Sequence, residues 1–411
     1  MKKNRFCNAA ELKAELDGYV LGQDDGVKSV AMAVSSHLLR IQAHENGTGF
    51  HIRKDNVLLA GPTGCGKTET FRVLRRLEDE MGIPVIMANA MEYSPNDAWK
   101  GTAVEEVLRT LFEEAVGMYV RKHGQPPANP NEHEDLLRMA SNGIILLDEF
   151  DKLSIRNDKI GNYCRDYQAS LLKMMEGSDY QIGEVKIFAS GDGNQQECGG
   201  VPVHIDTSNV MFVFLGAFDG LENITLSRLK RERESSRPAK NRIGFMAGVE
   251  VCGQVKEMPE EADAAPSLED LVEFGIMREL VGRIPIRTVY KPLSVDDMVR
   301  ILCEAKTSPY LEYQERFQAM GHRLTCDDAA LRVIAGIAAD KKTGARGLSN
   351  VFFELLSPTM YTLSGTGDPM QCTLRGDDIT ARRPPVLRRV RRRARKKPDA
   401  PGIPLLGNSL F

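Results

Sequence analysis

Up to Pro292, short apolar runs alternate with longer amphipathic stretches. Asn56-Val57-Leu58-Leu59-Ala60, Pro84-Val85-Ile86-Met87-Ala88, residues 143–147 and Val210-Met211-Phe212-Val213-Phe214-Leu215 are apolar almost throughout. That is the pattern of strands buried on both faces of a sheet. Helical spacing covers residues 11–44, with a break at Gly22-Gln23, then 68–81, 104–120 and 167–176. Strands alternating with helices predict an α/β fold around a parallel sheet. Residues 124–132 read as a Pro/Asn loop. Residues 228–242, dense in Arg, Lys and Glu, and 254–268, rich in Pro, Ala and Glu, read as mobile surface loops. Beyond Pro292 the rhythm becomes helical over 295–304, 308–320, 327–341 and 348–361, followed by a short strand at 371–374. The expected organisation is a large domain over 1–290, a smaller, mostly helical one over 291–380, and a basic, disordered tail over 381–411.

At 411 residues, the chain has room for two or three domains of roughly 100–200 residues each. The basic N-terminus, Met-Lys-Lys-Asn-Arg-Phe-Cys-Asn, has no apolar stretch after it and so is not read as a signal peptide. No apolar run approaches the ~20 residues of a membrane span. The expectation is a cytoplasmic protein with no membrane partner. The 8 cysteines are scattered with no Cys-x-x-Cys, which suggests reduced thiols rather than a zinc site or a disulfide framework. The net charge of −3 is unevenly spread, because ten basic and no acidic residues lie between Arg382 and Lys397. Without those ten the rest of the chain stands at −13. The arm reads first as a solvated tail, and second as a contact for nucleic acid or an acidic partner.

Gly61-Pro62-Thr63-Gly64-Cys65-Gly66-Lys67-Thr68 has the spacing of a phosphate-binding loop, with a strand before it and a helix after it. The glycines allow backbone N–H groups to curl around phosphate oxygens. Lys67 supplies charge for the outer phosphates and Thr68 a hydroxyl for Mg²⁺, and the following helix turns its N-terminus toward them. Asp148-Glu149 closes the apolar run Ile144–Leu147. Two carboxylates at the end of a buried strand are costly unless a cation or a catalytic role holds them. Asp148 is read as a Mg²⁺-shell residue and Glu149 as the base that polarises the attacking water. The predicted chemistry is ATP hydrolysis.

Further motifs follow in order: Tyr19-Val20-Leu21-Gly22-Gln23, Leu146 to Lys152, Ser170 to Gly177, Gly216-Ala217-Phe218, Ile243-Gly244-Phe245, Gly282-Arg283-Ile284-Pro285 and Gly344-Ala345-Arg346-Gly347-Leu348. With the phosphate loop they resemble the ClpX family, AAA+ unfoldases that partner a barrel-shaped serine peptidase, from about Leu16 to Thr380. The resemblance implies an AAA+ P-loop NTPase domain with a small helical lid, and a homo-hexameric ring that threads protein substrates through its pore to a Clp-type peptidase. It implies that Val20 and Leu21 line the adenine pocket. It makes Arg283 the arginine that reaches the neighbouring subunit's nucleotide, and Arg346 the sensor arginine that touches the γ-phosphate in cis. The sensor-one position falls near Phe214 and Leu215, where no polar residue stands, and it stays unassigned.

By the same resemblance, Ala98-Trp99-Lys100-Gly101 is the substrate-gripping pore loop. Trp99 is the only tryptophan, and a large ring on a loop can hold an arbitrary chain. Lys100 stands where relatives carry an apolar residue. Ile243-Gly244-Phe245 matches the tripeptide that docks on the peptidase. Over 190–203 the family's basic entry-loop triad is absent, and so is the zinc-binding domain that precedes the ATPase in most relatives. Two other readings stay open: a remodelling ATPase without a peptidase, and a nucleic-acid-associated ATPase using the basic tail.

Overall fold

The computed structural model describes residues 4–48, 52–94, 102–103, 105–127, 129–157, 163–189, 196–236, 265–366 and 368–389. The strands in chain order are β1 (Val57–Ala60), β2 (Val85–Asn89), the two-residue pair β3 (Tyr93–Ser94) and β4 (Thr102–Ala103), β5 (Ile144–Asp148), β6 (Asp179–Ala189), β7 (Gln196–Asp206), β8 (Met211–Gly216), β9 (Ile286–Val289), β10 (Arg323–Cys326), β11 (Met370–Leu374) and β12 (Val386–Arg389). Five of them form one parallel sheet in the order β2-β5-β8-β1-β9. The apolar runs read from the sequence are four of these five strands.

Alternate residues of each strand feed opposite faces. Leu58, Ile145, Leu147, Phe212 and Phe214 join the core beneath the helices Glu106–His123 and Tyr163–Glu176. Val57, Leu59, Ile144, Leu146, Val213 and Leu215 join the core beneath Asp24–Glu45 and Lys67–Arg76. A third core, around Leu302, Phe317, Leu348 and Phe352, belongs to the helices Val295–Glu304, Pro309–Ala319, Asp328–Asp340 and Ala345–Leu363. The small sheet β10-β11-β12 flanks that helical unit.

Four local expectations need correction. The helix expected over 68–81 is two, Lys67–Arg76 and Glu78–Met81, parted at Leu77. The loop expected over 124–132 already contains a helix start, Pro130–Ser141, capped by the Asn129 side chain with proline in its first turn. Residues 228–236 belong to a helix, Leu221–Ser236, rather than a loop. Arg228 pairs there with Glu232 at i,i+4 and donates to the buried Asp270 at 2.9 Å. The tail begins as strand rather than coil: β12 runs antiparallel to β11, with Leu387 opposite Cys372. Main-chain pairing onto an open sheet edge outweighed the lack of periodicity. Among the described residues no helix is long and apolar enough to cross a membrane.

His37 fastens the helix Asp24–Glu45 to the start of β5. The buried imidazole lies 2.9 Å from the Asn142 carbonyl, an acceptor that requires Nε2–H to donate. Burial pushes its pKa down to about 4, against the smaller opposing effect of that hydrogen bond. Because the folded value lies below the unfolded one, its contribution is intact above about pH 6.5 and is lost as pH falls toward 4. We predict that chemical denaturation will show the unaltered chain losing about 3 kcal/mol more than His37→Asn between pH 6.5 and 4.

Candidate nucleotide-binding site

Strand β1 delivers the chain to the loop. Gly61, Gly64 and Gly66 have φ of +152°, +76° and +105°, backbone that L side chains rarely adopt. The space around Gly64 is also closed. A Cβ there would stand 2.2 Å from the Thr343 carbonyl oxygen, and the Ala345 N–H donates to the Gly64 carbonyl at 2.9 Å. The helical unit thus meets the loop main chain to main chain. Lys67 is buried, with Nζ 2.5 Å from the Gly61 oxygen and 2.8 Å from the Pro62 oxygen. Cys65 is buried beside it, and burial pushes its thiol up, away from reactivity.

The acidic pair caps β5, two strands from β1 in the sheet. The Thr68 hydroxyl lies 3.4 Å from Asp148 Oδ2. Glu149 is exposed and held at φ +57°, with its N–H donating to Asp148 Oδ1 at 2.8 Å. A non-glycine residue in that region is a conformation concentrated at functional sites. Asn89 stands opposite Asp148 in the β2–β5 register, and its Nδ2 lies 3.5 Å from Glu149 Oε2. The sequence reading missed Asn89; its position as the polar end of an apolar strand beside β5 was the available signal.

A cleft of about 620 Å³ opens from the loop toward the helical unit. Gly64 to Thr68 form its floor, Val20, Leu21, Leu293 and Ile301 its apolar end, and Arg72, Arg76 and Arg346 add cationic side chains. Charge at one end and apolar surface at the other fit a nucleoside polyphosphate, with the base against Val20 and Leu21. Gly61, Pro62 and Thr63 belong to the loop but not to the cleft lining, and Gly61 and Pro62 border a second pocket. Tyr19 also lines the cleft, between two cations, with Arg76 at 5.4 Å and Lys306 at 5.0 Å from its ring. Arg72 and Arg76 were not foreseen; they lie on the helix that follows the loop, one and two turns in.

Among the described residues no cluster of three or more His, Cys, Asp or Glu could hold a metal. Thr68 and Asp148 alone fit Mg²⁺, which takes few protein ligands and completes its shell from phosphate and water oxygens.

Arg346 opens the helix Ala345–Leu363, is exposed, and lines the same cleft. Arg283 is elsewhere. It precedes β9 at the edge where β1 begins, the opposite end of the sheet from the loop. There its Nη2 donates to Glu176 at 2.7 Å, and the buried Asn56 holds its carbonyl at 2.8 Å. The structure therefore gathers Val20, Leu21, Gly64 to Thr68, Asp148, Glu149 and Arg346, and sets Arg283 apart. β8, where sensor one would fall, is buried throughout. Trp99, Lys100, Ile243, Gly244 and Phe245 lie outside the described residues.

Residues 53–287 match the family model described as AAA domain (Cdc48 subfamily). The chain is 31% identical over 398 residues to the ATP-dependent Clp protease ATP-binding subunit ClpX 3 of Methylococcus capsulatus, covering 93% of this chain and 83% of that one. It is 33% identical over 377 residues to the subunit ClpX of Azotobacter vinelandii, covering 89% and 76%. The ClpX of Treponema denticola is 33% identical over 356 residues, covering 85% and 76%. With the parallel sheet and the cleft beside its phosphate loop, these likenesses establish that the chain belongs to the ClpX family of AAA+ proteins and is an ATPase, not itself a protease.

Proposed function

We propose that this chain is an ATP-driven protein unfoldase that acts as a homo-hexameric ring and passes polypeptide to a Clp-type peptidase. The observation that carries the reading is the separation of Arg283 from the cleft. Four residues of β1, at roughly 3.3 Å each, stand between the arginine's edge of the sheet and the loop's edge. Arg283 thus serves a neighbouring subunit's nucleotide, where its charge stabilises the phosphoryl group in flight. A ring supplies that neighbour at every site. The relatives' names, which describe the ATP-binding subunit of a protease, support the peptidase as partner.

In this reading Gly61 to Thr68 cradle the phosphates, Lys67 neutralises the outer two, and Val20 and Leu21 hold the adenine. Mg²⁺, when bound through Thr68 and Asp148, offsets charge on the phosphate oxygens. Glu149 orients the attacking water, with Asn89 positioned to hold its carboxylate. The body ends at Tyr290 and the helical lid begins at Lys291. Arg346 extends from the lid to the γ-phosphate, so hydrolysis changes the lid's angle. Trp99 grips the substrate in the pore, Lys100 biases that grip toward acidic segments, and Ile243-Gly244-Phe245 docks the peptidase.

Two expected outcomes test this. Glu149→Gln should bind ATP as the unaltered chain does and hydrolyse it about a hundredfold more slowly; pulldowns with it should recover substrates and the peptidase. Rapid hydrolysis by this variant contradicts the assignment of the base. Phe245→Ala should keep its ATPase rate yet lose ATP-dependent degradation of a tagged substrate by the cognate peptidase. If the unaltered chain supports no such degradation, the peptidase partnership is wrong.

A further inference from the structure

Tyr290 is the last residue before the chain passes from the sheet to the helical unit, and it contacts the start of the phosphate loop directly and Gly66 through Thr70. Its N–H donates to the Ala60 carbonyl at 2.8 Å, where the loop begins. A Cβ on Gly61 would stand 2.5 Å from the Tyr290 carbonyl oxygen, so the two backbones pack without a side chain between them. The fully buried ring lies against Gly26, where a Cβ would come within 2.3 Å of it. Its hydroxyl is 2.8 Å from the Thr70 hydroxyl, and Thr70 Oγ1 donates to the Gly66 carbonyl at 3.0 Å, just before Lys67. A hydroxyl has one proton to give. With Thr70 donating to Gly66, the Tyr290 O–H donates to Thr70, and the relay has one direction.

The next residue is held as firmly. The buried Gln23 amide clasps Lys291 from both sides of its backbone: Oε1 accepts from the Lys291 N–H and Nε2 donates to the Lys291 carbonyl, each at 2.8 Å. Ser294 already belongs to the helical unit, as the capping residue of Val295–Glu304, reciprocally bonded with Asp297. Only Pro292 and Leu293 lie between the clasp and the cap. Proline's ring fixes its φ, so rotation falls on ψ of Pro292 and on Leu293. Leu293 itself lines the nucleotide cleft.

We propose that Gln23 and Tyr290 form a two-point anchor that registers this two-residue pivot to the phosphate loop, making them positioning residues of the ATPase cycle. Tyr290 reports the loop's shape through Thr70 and Gly66; Gln23 fixes where turning starts. Without the anchor, the lid and its Arg346 would swing about a pivot no longer tied to the phosphates. The inference rests on the reading that Gly61 to Thr68 bind the phosphates.

The test compares the full chain with Tyr290→Phe, Thr70→Val, the double variant and Gln23→Glu, which keeps the acceptor and loses the donor. ATP affinity is measured in the Glu149→Gln background, and kcat and KM are measured per active site after titration of nucleotide-binding sites. We expect ATP affinity within about twofold of the unaltered chain, KM unchanged, and kcat lowered about tenfold in each single variant. The Tyr290→Phe and Thr70→Val losses should not add, because both break one relay. A purely structural role would lower the melting temperature and the fraction of active sites but leave kcat per site unchanged. That result, or additive losses, overturns the proposal. Should Tyr290→Phe fail to fold, an unchanged kcat in Thr70→Val and Gln23→Glu overturns it equally. If the unaltered chain does not bind ATP, or Lys67→Ala binds it as well, the underlying phosphate-loop reading has failed instead.

Discussion

The site depends on two main chains meeting with no side chain between them. Gly64 and Gly344 face each other so closely that a Cβ on either would stand 2.2 to 2.6 Å from the other segment's carbonyl oxygen. The Ala345 N–H to Gly64 carbonyl bond closes the contact. Neither glycine has room to be anything else, and both have positive φ. Because Arg346 follows Ala345 directly, this contact sets where its guanidinium starts and makes the cleft a seam between two cores rather than a hole in one.

A second seam lies around the segment 18–23. The Lys306 N–H donates to the Gly18 carbonyl at 2.8 Å, and Gly22 abuts the Asp297 side chain. The same segment carries Val20 and Leu21 into the cleft and Gln23 onto the pivot. Cleft lining, helical-unit contact and the clasp on Lys291 therefore share one stretch of backbone. In the proposed function, a change at the nucleotide reaches the lid by contact rather than through a distant network. In the same reading Arg283, on the far side of the sheet, would carry that change to a neighbouring subunit.

Much of this was legible in the sequence. The strands flanking the loop announced themselves because both sheet faces are buried, which leaves Val57 to Ala60 and Met211 to Leu215 without polar residues. The helix Val295–Glu304 was bounded correctly from its periodicity, and the structure shows the Ser294–Asp297 capping box that starts it. Gly61 to Thr68 and Asp148-Glu149 stood out by their spacing, and the structure brings Thr68 within 3.4 Å of Asp148. What escaped notice depended on pairing across long sequence distances. Gln23 and Lys291 are 268 positions apart, and Thr70 and Tyr290 are 220 apart; no local pattern predicts either contact. β12 read as tail because Arg388 and Arg389 suggested solvent, whereas a strand edge asks only for main-chain partners. Residues 228–236 of the helix Leu221–Ser236 read as loop because their charges hid the i,i+4 pairing of Arg228 with Glu232.

The most direct measurement is the distance between spin labels placed on the helix Glu106–His123 and on the exposed face of Ala345–Leu363, without nucleotide and with ATP in the Glu149→Gln chain. The account predicts that ATP shifts and narrows the distance distribution, and that Lys67→Ala removes the shift together with binding. An unchanged distribution while ATP is demonstrably bound would contradict it.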